Sequence, residues 1–431
     1  MKVYIESLGC PKNTADSEYM VGILKAKGCT IEKDPQQADV LMVNTCGFIE
    51  PAREESIDTI LELAQFKKDD PSKRLIVCGC LYERYRQQLK EELPEVDGFV
   101  GVNELDRISD VVLDSPHNLK KPYIYRHIIG HKHIGYLKIA DGCSNGCTFC
   151  AIPLIKGGFR SRDMDELVDE AQILSEKGVR ELYITAQDTT AYMFEKNKKN
   201  ALVELLKRLD EIEGLPWIRL MYTYPSYITD ELIEFMSTSK RVVRYIDVPF
   251  QHASDRVLAD MGRGYTLKDM EGLIDRLRLK VKGIAIRSTF IVGFPTEEDE
   301  DFDRLLSFLD YSQLDWAGFF KYYHEEGTQA FKSFYDMDEE IKEDRLIEAQ
   351  SLALSITEGI NERLVGEVLE VIVDEPAEDE GYWIGRSYRS AYEIDGVIFV
   401  KSDSLKPGDF VKVRVELVKN QTDLVAVLQS G

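Results

Sequence analysis

The chain has 431 residues, enough for two or three domains of ordinary size, which excludes a disulfide-stapled miniprotein. With 44% hydrophobic and 30% charged residues, 29 Gly and 14 Pro, it belongs with globular proteins rather than disordered or collagenous ones. Fifty-four Lys and Arg against 77 Asp and Glu give a formal charge of −23, a field that repels phosphate backbones, so a nucleic-acid partner needs a local basic patch.

The first residues, MKVYIESLGCPKN, contain no apolar signal core, and no run approaches the ~20 apolar residues of a membrane span. A cytoplasmic chain with no membrane partner is expected. In a reducing compartment the eight Cys are expected as thiols, metal ligands or catalytic groups rather than disulfides. Residues 1–110 alternate β-rich and helical runs: KVYIESLG, a helix from Thr14 to Lys27, ADVLMVNT, a helix over 53–67, RLIVCG and a helix over 82–92. That alternation predicts a parallel α/β domain. Residues 111–135, with Pro, charge and no clean period, read as a linker with an edge strand.

From 136 to 337 the alternation resumes, with strands YLKIA, ELYITAQ, WIRLMYT, RYIDVPF, AIRSTFIVGF and DWAGFFKYY. Six parallel strands joined by right-handed crossovers predict an open partial (β/α)6 barrel with functional residues at the strands' carboxyl ends. A connecting helix over 338–364 leads to residues 365–431. There, EVLEVIV, YWIGRSY, DGVIFVKS, FVKVRVELV and LVAVL are split by turns at Asp395-Gly396 and Pro407-Gly408. They predict a small five-stranded antiparallel β-barrel of OB-like type. The fold class is therefore α/β multidomain.

Cys143, Cys147 and Cys150 stand in DGCSNGCTFC, at the end of the barrel's first strand. Three thiolates on so short a loop can hold a 4Fe-4S cluster and leave one iron without a protein ligand, open to a small chelator with amino and carboxylate groups. The competing readings are a structural zinc site completed by His131 or His133, a buried helix face, and loose thiols. Gly142 and Gly146 break the helix, and structural zinc favours paired Cys-x-x-Cys spacing. Phe149 offers a stacking surface for a purine, or belongs to the core. Cys10, Cys46 and Cys80 are far apart in sequence, yet each falls just beyond a predicted parallel strand. They should converge on the sheet's carboxyl edge, where open α/β sheets bind ligands, and could hold a second cluster. Cys78, in mid-strand, and Cys29 read as ordinary buried residues.

Taken together, LGCPKN, NTCGFIE, CGC, DGCSNGCTFC and residues 365–431 resemble the methylthiotransferases of the radical S-adenosylmethionine superfamily, over nearly the whole chain. Residues 1–110 are similar to the family's N-terminal cluster domain and 365–431 to its TRAM domain. The segments QDTTAY, VPFQHASDRVLADMGRG and FRSR look most like the branch that modifies an aspartate of a small-subunit ribosomal protein. One departure is Thr296-Glu297-Glu298 after Pro295, where the family usually continues Gly-Glu-Thr.

The resemblance implies two 4Fe-4S clusters, one on Cys143, Cys147 and Cys150 that chelates and reductively cleaves S-adenosylmethionine, the other on Cys10, Cys46 and Cys80 that carries the sulfur. S-adenosylmethionine then acts as radical source and as methyl donor. A radical removes hydrogen from an unactivated carbon, a task beyond any side-chain base, and a low-potential electron donor is required. Gln187 and Asp188, ending the barrel's second strand, are expected at the methionine or ribose of the cosubstrate, with Arg287 and Gly293 flanking the fifth strand. For Arg162, Arg219 and Arg287, ion pairing competes with carboxylate binding. Tyr192 reads as a site residue or as surface packing, and His252 as a loop support or a substrate contact.

From Val365 to Gly431 there are seven bases against thirteen acids, a net of −6. An RNA-gripping barrel should be basic, whereas an acidic one suits a basic ribosomal protein. Basic residues at Lys120, Lys121, Arg126, His131, Lys132 and His133, and at Lys196, Lys198 and Lys199, keep RNA contact, and a transfer RNA adenosine as substrate, as the alternative. A non-enzymatic metal scaffold would bind metal without cleaving S-adenosylmethionine.

Overall fold

A strand that is apolar at every position, rather than at alternate ones, requires cover on both faces. The stretch Val40–Val43 is such a run, and in the computed structural model, which describes residues 1–429, it and the polar Asn44 and Thr45 that follow are all buried. The N-terminal sheet is parallel and consists of β1 Lys2–Ser7, β2 Thr30–Ile31, β3 Val40–Thr45, β4 Arg74–Gly79 and β5 Gly98–Val100, in the order β2-β1-β3-β4-β5. Val43 of β3 lies opposite Glu6 of β1 and Val77 of β4. Met42 packs with Met20 and Ile23 of the helix Pro11–Ala26, while Leu41 and Val43 pack with Ile60 and Leu63 of the helix Glu50–Asp69. The helix predicted over 82–92 is two, Cys80–Arg84 and Arg86–Glu92, divided at Tyr85.

Between this sheet and the next, the chain forms a 3-10 turn at Pro122–Tyr125 in place of the expected edge strand. Pro122 has no N–H to give a ladder, and Arg126 turns inward to Glu18 at 2.5 Å and Glu170 at 2.6 Å. The barrel's first strand is β6 Ile134–Lys138. A short antiparallel ribbon, β7 Ala140–Asp141 with β8 Arg160–Ser161, closes the base of the loop that follows. Then come β9 Glu181–Thr185, β10 Trp217–Leu220, β11 Val242–Asp247, β12 Ala285–Val292 and β13 Trp316–Lys321. The six main strands are parallel, in the order β13-β12-β11-β10-β9-β6, an open partial barrel as predicted. Leu167, Leu206, Ile233, Leu277 and Leu305 from the crossover helices cover its outer face.

The helix Glu339–Glu362 leads to a closed barrel of β14 Val368–Pro376, β15 Tyr382–Ser387, β16 Ile398–Lys401, β17 Phe410–Lys419 and β18 Asp423–Leu428. Four of its pairings are antiparallel and one, β16 with β18, is parallel. Strand direction cannot alternate all the way round a ring of five, so the fully antiparallel barrel read from the sequence gives way at one pair.

This small barrel fills the base of the large one. Tyr136, Tyr183, Trp217 and Tyr245, on the inner faces of the parallel strands, share a core with Ile372 and Ala391. Arg386 reaches Asp374 at 2.7 Å and Glu181 at 2.8 Å, and His133 meets Asp374 at 2.9 Å. Arg219, fully buried, pairs with Glu181 at 2.8 Å and donates to the Tyr388 carbonyl. For Arg219 the ion-pair reading therefore holds. His131 and His133 precede β6 and face the small barrel, at the opposite end of that strand from Cys143, so they do not complete a zinc site. No helix among the described residues is long and apolar enough to cross a membrane.

Candidate active site

In the N-terminal sheet the strand order reverses between β1 and β3, the switch point where open α/β sheets form a crevice. Cys10 follows β1, Cys46 follows β3 and Cys80 follows β4, so the crevice is lined by thiols. Asn13 ties the loops together: its amide donates to the carbonyls of Leu8 and Thr45, both at 3.0 Å, and its oxygen accepts from Cys80 Sγ at 3.7 Å. Gly9 has φ +86°, and a Cβ there would stand 2.9 Å from Cys46 Cβ and 3.1 Å from its Sγ, which brings the Cys10 and Cys46 loops into contact. Burial pushes the Cys46 and Cys80 thiols up, Cys80 to about 12, and the nearby Cys10 adds to both shifts. Burial also opposes ionisation of Cys10, but the Lys12 ammonium and the N–H of Asn13 outweigh it and lower that thiol.

In the second trio, Gly142 has φ +74°, and a Cβ there would collide with the carbonyls of Gly157 and Gly158. The loop of Cys143, Cys147 and Cys150 thus starts where only Gly fits. Asn145 donates to Asp188 Oδ2 at 2.8 Å, Thr148 N donates to the Met261 carbonyl at 3.0 Å, and Arg263 Nη1 donates to Cys147 Sγ at 3.2 Å. Burial, then Cys147 and Cys143, push the Cys150 thiol up to about 12, and Cys143 is raised chiefly by burial. Buried thiols of this kind hold their protons until a metal displaces them. Among the described residues no three His, Cys, Asp or Glu close on a point as ligands of a single ion do. Thiolates of an iron–sulfur cube bind separate corners, and three soft thiol donors in each trio are the donor chemistry that such a cluster takes.

The carboxyl ends of the two sheets meet at a cavity of about 350 Å³. Phe48 and Ile49, just after Cys46, form one wall. Phe149, beside Cys150, lies opposite with Tyr222, Gln251 and Arg287. Tyr222 and Gln251 have φ of +55° and +73°, a conformation such residues hold only where their surroundings enforce it, and one that collects at functional sites. Glu325, buried, joins the two sides. It accepts from Glu50 N at 3.0 Å and pairs with Arg84 at 2.8 Å and with Arg53.

The expected cosubstrate residues fare differently. Gln187 has both amide atoms buried without a partner, as a side chain shaped for a ligand would. Asp188 has both oxygens engaged, by Asn145 and by Thr190 at 2.6 Å, so it braces the cysteine loop. Arg287 lines the cavity but is held by Asp247 at 2.9 Å and Asp395 at 3.4 Å. Gly293 lies against Lys342 of the connecting helix, and its N–H donates to Glu297. Glu297 in turn meets His252 at 3.1 Å and Arg345 at 2.7 Å, which makes His252 a buried support. Arg162 pairs with Glu170 at 2.6 Å, and the buried Tyr192 donates to the Arg162 carbonyl. Cys78 and Cys29 are core residues, Cys78 donating to the Val43 carbonyl. Sequence reasoning missed Tyr222, Gln251, Arg263 and Glu325. Their roles come from backbone strain and from contacts between distant segments, neither of which leaves a periodic pattern.

Comparison with known proteins agrees with this architecture. Residues 2–101 match the family described as Uncharacterized protein family UPF0004, residues 137–309 the Radical SAM superfamily, and residues 365–428 the TRAM domain. A solved structure of the radical S-adenosylmethionine methyltransferase TsrM from Kitasatospora setae shares the fold, with a TM-score of 0.56 at 17% identity over 74% of each chain. Fold and cysteine loop define a radical S-adenosylmethionine enzyme, a class that uses a 4Fe-4S cluster and S-adenosylmethionine. Among sequence relatives, the "Ribosomal protein uS12 methylthiotransferase RimO" of Aquifex aeolicus (strain VF5) is 44% identical over 97% of this chain and 95% of its own. That of Sulfurihydrogenibium sp. (strain YO3AOP1) is 42% identical over 99% and 98%. The chain belongs to this RimO family of methylthiotransferases.

Proposed function

We propose that the chain places a methylthio group on the β-carbon of an aspartate of ribosomal protein uS12, in the cytoplasm, with electrons from a low-potential donor. In this reading Cys143, Cys147 and Cys150 hold one 4Fe-4S cluster and Cys10, Cys46 and Cys80 a second. When bound, the clusters and S-adenosylmethionine supply the radical chemistry and the sulfur. The supporting observation is one cavity lined both by Phe48 and Ile49, just after Cys46, and by Phe149, between Cys147 and Cys150. The chain's own groups do the positioning: Gln187 offers an unpaired amide to the cosubstrate, Asp188 and Arg263 fix the cysteine loop, and Glu325 keeps the sheet edges in register.

Docking buries Arg386, Arg389, Asp374 and Asp395 within the molecule. The remaining five bases and eleven acids leave the C-terminal barrel still at −6, which favours a basic protein over RNA. The test is mass spectrometry after anaerobic turnover of the reconstituted chain with S-adenosylmethionine, sulfide, a reductant, and uS12 and transfer RNA in competition. A methylthio mass gain on the uS12 aspartate is expected. A gain on RNA alone would reject the substrate while leaving the chemistry intact.

A further inference from the structure

The lysines around the two thiol sites are matched with acids, except one. Lys138 and Lys156 meet Asp141 at 2.6 and 3.2 Å, and Lys321 meets Glu339 at 2.6 Å. Lys12, two residues after Cys10, is 8% exposed, yet among the described residues it has neither an ion pair nor a hydrogen bond. Its Nζ stands 3.5 Å from the centre of the Tyr222 ring. A ring face compensates only part of the cost of burying an ammonium, and the ionisable group closest in effect is the Cys10 thiol, so the cation points to negative charge at the thiol site itself. The ring is itself held at a price in conformation. Tyr222 keeps φ at +55°, and its N–H is fixed by Asp247 Oδ2 at 2.9 Å. Ammonium and ring are thus both constrained beside the first thiol trio.

We propose that Lys12 is the counter-ion of an anionic one-sulfur ligand, a hydrosulfide or an alkylthiolate, held at the site of Cys10, Cys46 and Cys80. The inference rests on the two-cluster reading above. Three thiolates and an anionic ligand concentrate negative charge in a buried crevice, where a fixed cation acts with little screening. Lys12 stands against Tyr222, a residue of the cavity wall, so capture of a substrate carboxylate is the competing role that the test must separate. Lys12 is a positioning residue that fixes where the sulfur sits before transfer.

The test uses the full chain with Cys143, Cys147 and Cys150 replaced by Ala, so that only the N-terminal cluster remains. After reconstitution it is titrated with methanethiolate and followed by electron paramagnetic resonance of the reduced cluster. Lys12→Met should keep its iron content but bind methanethiolate about thirty-fold more weakly or worse, and Lys12→Arg should restore most of the affinity. Unchanged binding in Lys12→Met overturns the proposal, as does an equal loss in Lys12→Arg, which would remove charge as the cause. Loss of iron from both variants overturns it too, since Lys12 would then serve the thiolates themselves. If Lys12→Met binds methanethiolate normally and the same substitution in the otherwise unaltered chain raises KM for uS12, the ammonium serves the substrate instead. A parent chain that holds no iron refutes the two-cluster reading, separately from the role of Lys12.

Discussion

Gln187 and Cys46 show how a single side chain can be separated from the fold that carries it. A buried amide without partners destabilises the unliganded protein, and its replacement by an apolar side chain of similar size removes that penalty. Gln187→Leu should therefore melt no lower than the parent, while calorimetric titration of the reconstituted protein with S-adenosylmethionine should show affinity reduced by about 1 to 2 kcal/mol. A lowered melting temperature with normal binding would make Gln187 a packing residue. The two thiol trios should separate as well. Cys143→Ala is expected to abolish reductive cleavage of S-adenosylmethionine, whereas Cys46→Ala is expected to keep cleavage and lose methylthio transfer, with both products read by chromatography. Equal loss of cleavage in the two variants would contradict separate sites.

At the scale of elements, Glu325 carries the most weight, because one carboxylate on the loop after β13 receives Glu50 N, Arg53 and Arg84 from the N-terminal domain. Removing the carboxylate leaves Arg84, 5% exposed at its side chain, buried without a counter-charge, a loss of about 3–5 kcal/mol. Glu325→Ala should raise amide hydrogen exchange across Glu50–Arg53. It should spare cleavage of S-adenosylmethionine but depress methylthio transfer, because the two sheet edges lose their register.

Much of this level was legible in the sequence. Continuous apolar runs such as Val40–Val43 announce strands covered on both faces, and a Cys shortly after each strand announces where they converge. The two edge strands were not legible, because Thr30–Ile31 and Gly98–Val100 are too short to carry a period. Nor were the partners of Arg219, Asp395 and Glu325, since ion pairs between segments from 38 to 272 residues apart leave no local signal. The cosubstrate residues were read from strand ends alone, and that position did not distinguish Gln187, whose amide is free, from Asp188 and Arg287, whose polar atoms are taken.

Buried ion pairs join the two barrels beside their shared apolar core, and acid should loosen them. Burial opposes the charge of Asp374, but Arg386 and His133 outweigh burial and lower its pKa from the usual carboxylate value. A carboxylate with a depressed folded pKa stabilises fully above its unfolded value, about 4, and loses that contribution as pH falls through the folded one. The thermal midpoint should therefore drop below pH 4 more steeply in the parent than in Asp374→Asn, measured by circular dichroism across a pH series. Parallel curves would show that the contact between the barrels does not depend on this ionisation.

The small barrel contributes Ile394 to the cavity wall and Asp395 to Arg287, and it does so from the far end of the chain. A ribosome makes the thiol trios first, hundreds of residues before the segment that completes the chamber between them. The cavity is consequently completed only after both trios have been made. A nascent or prematurely terminated chain carries every cysteine and still lacks the side of the vessel that confines what they would do.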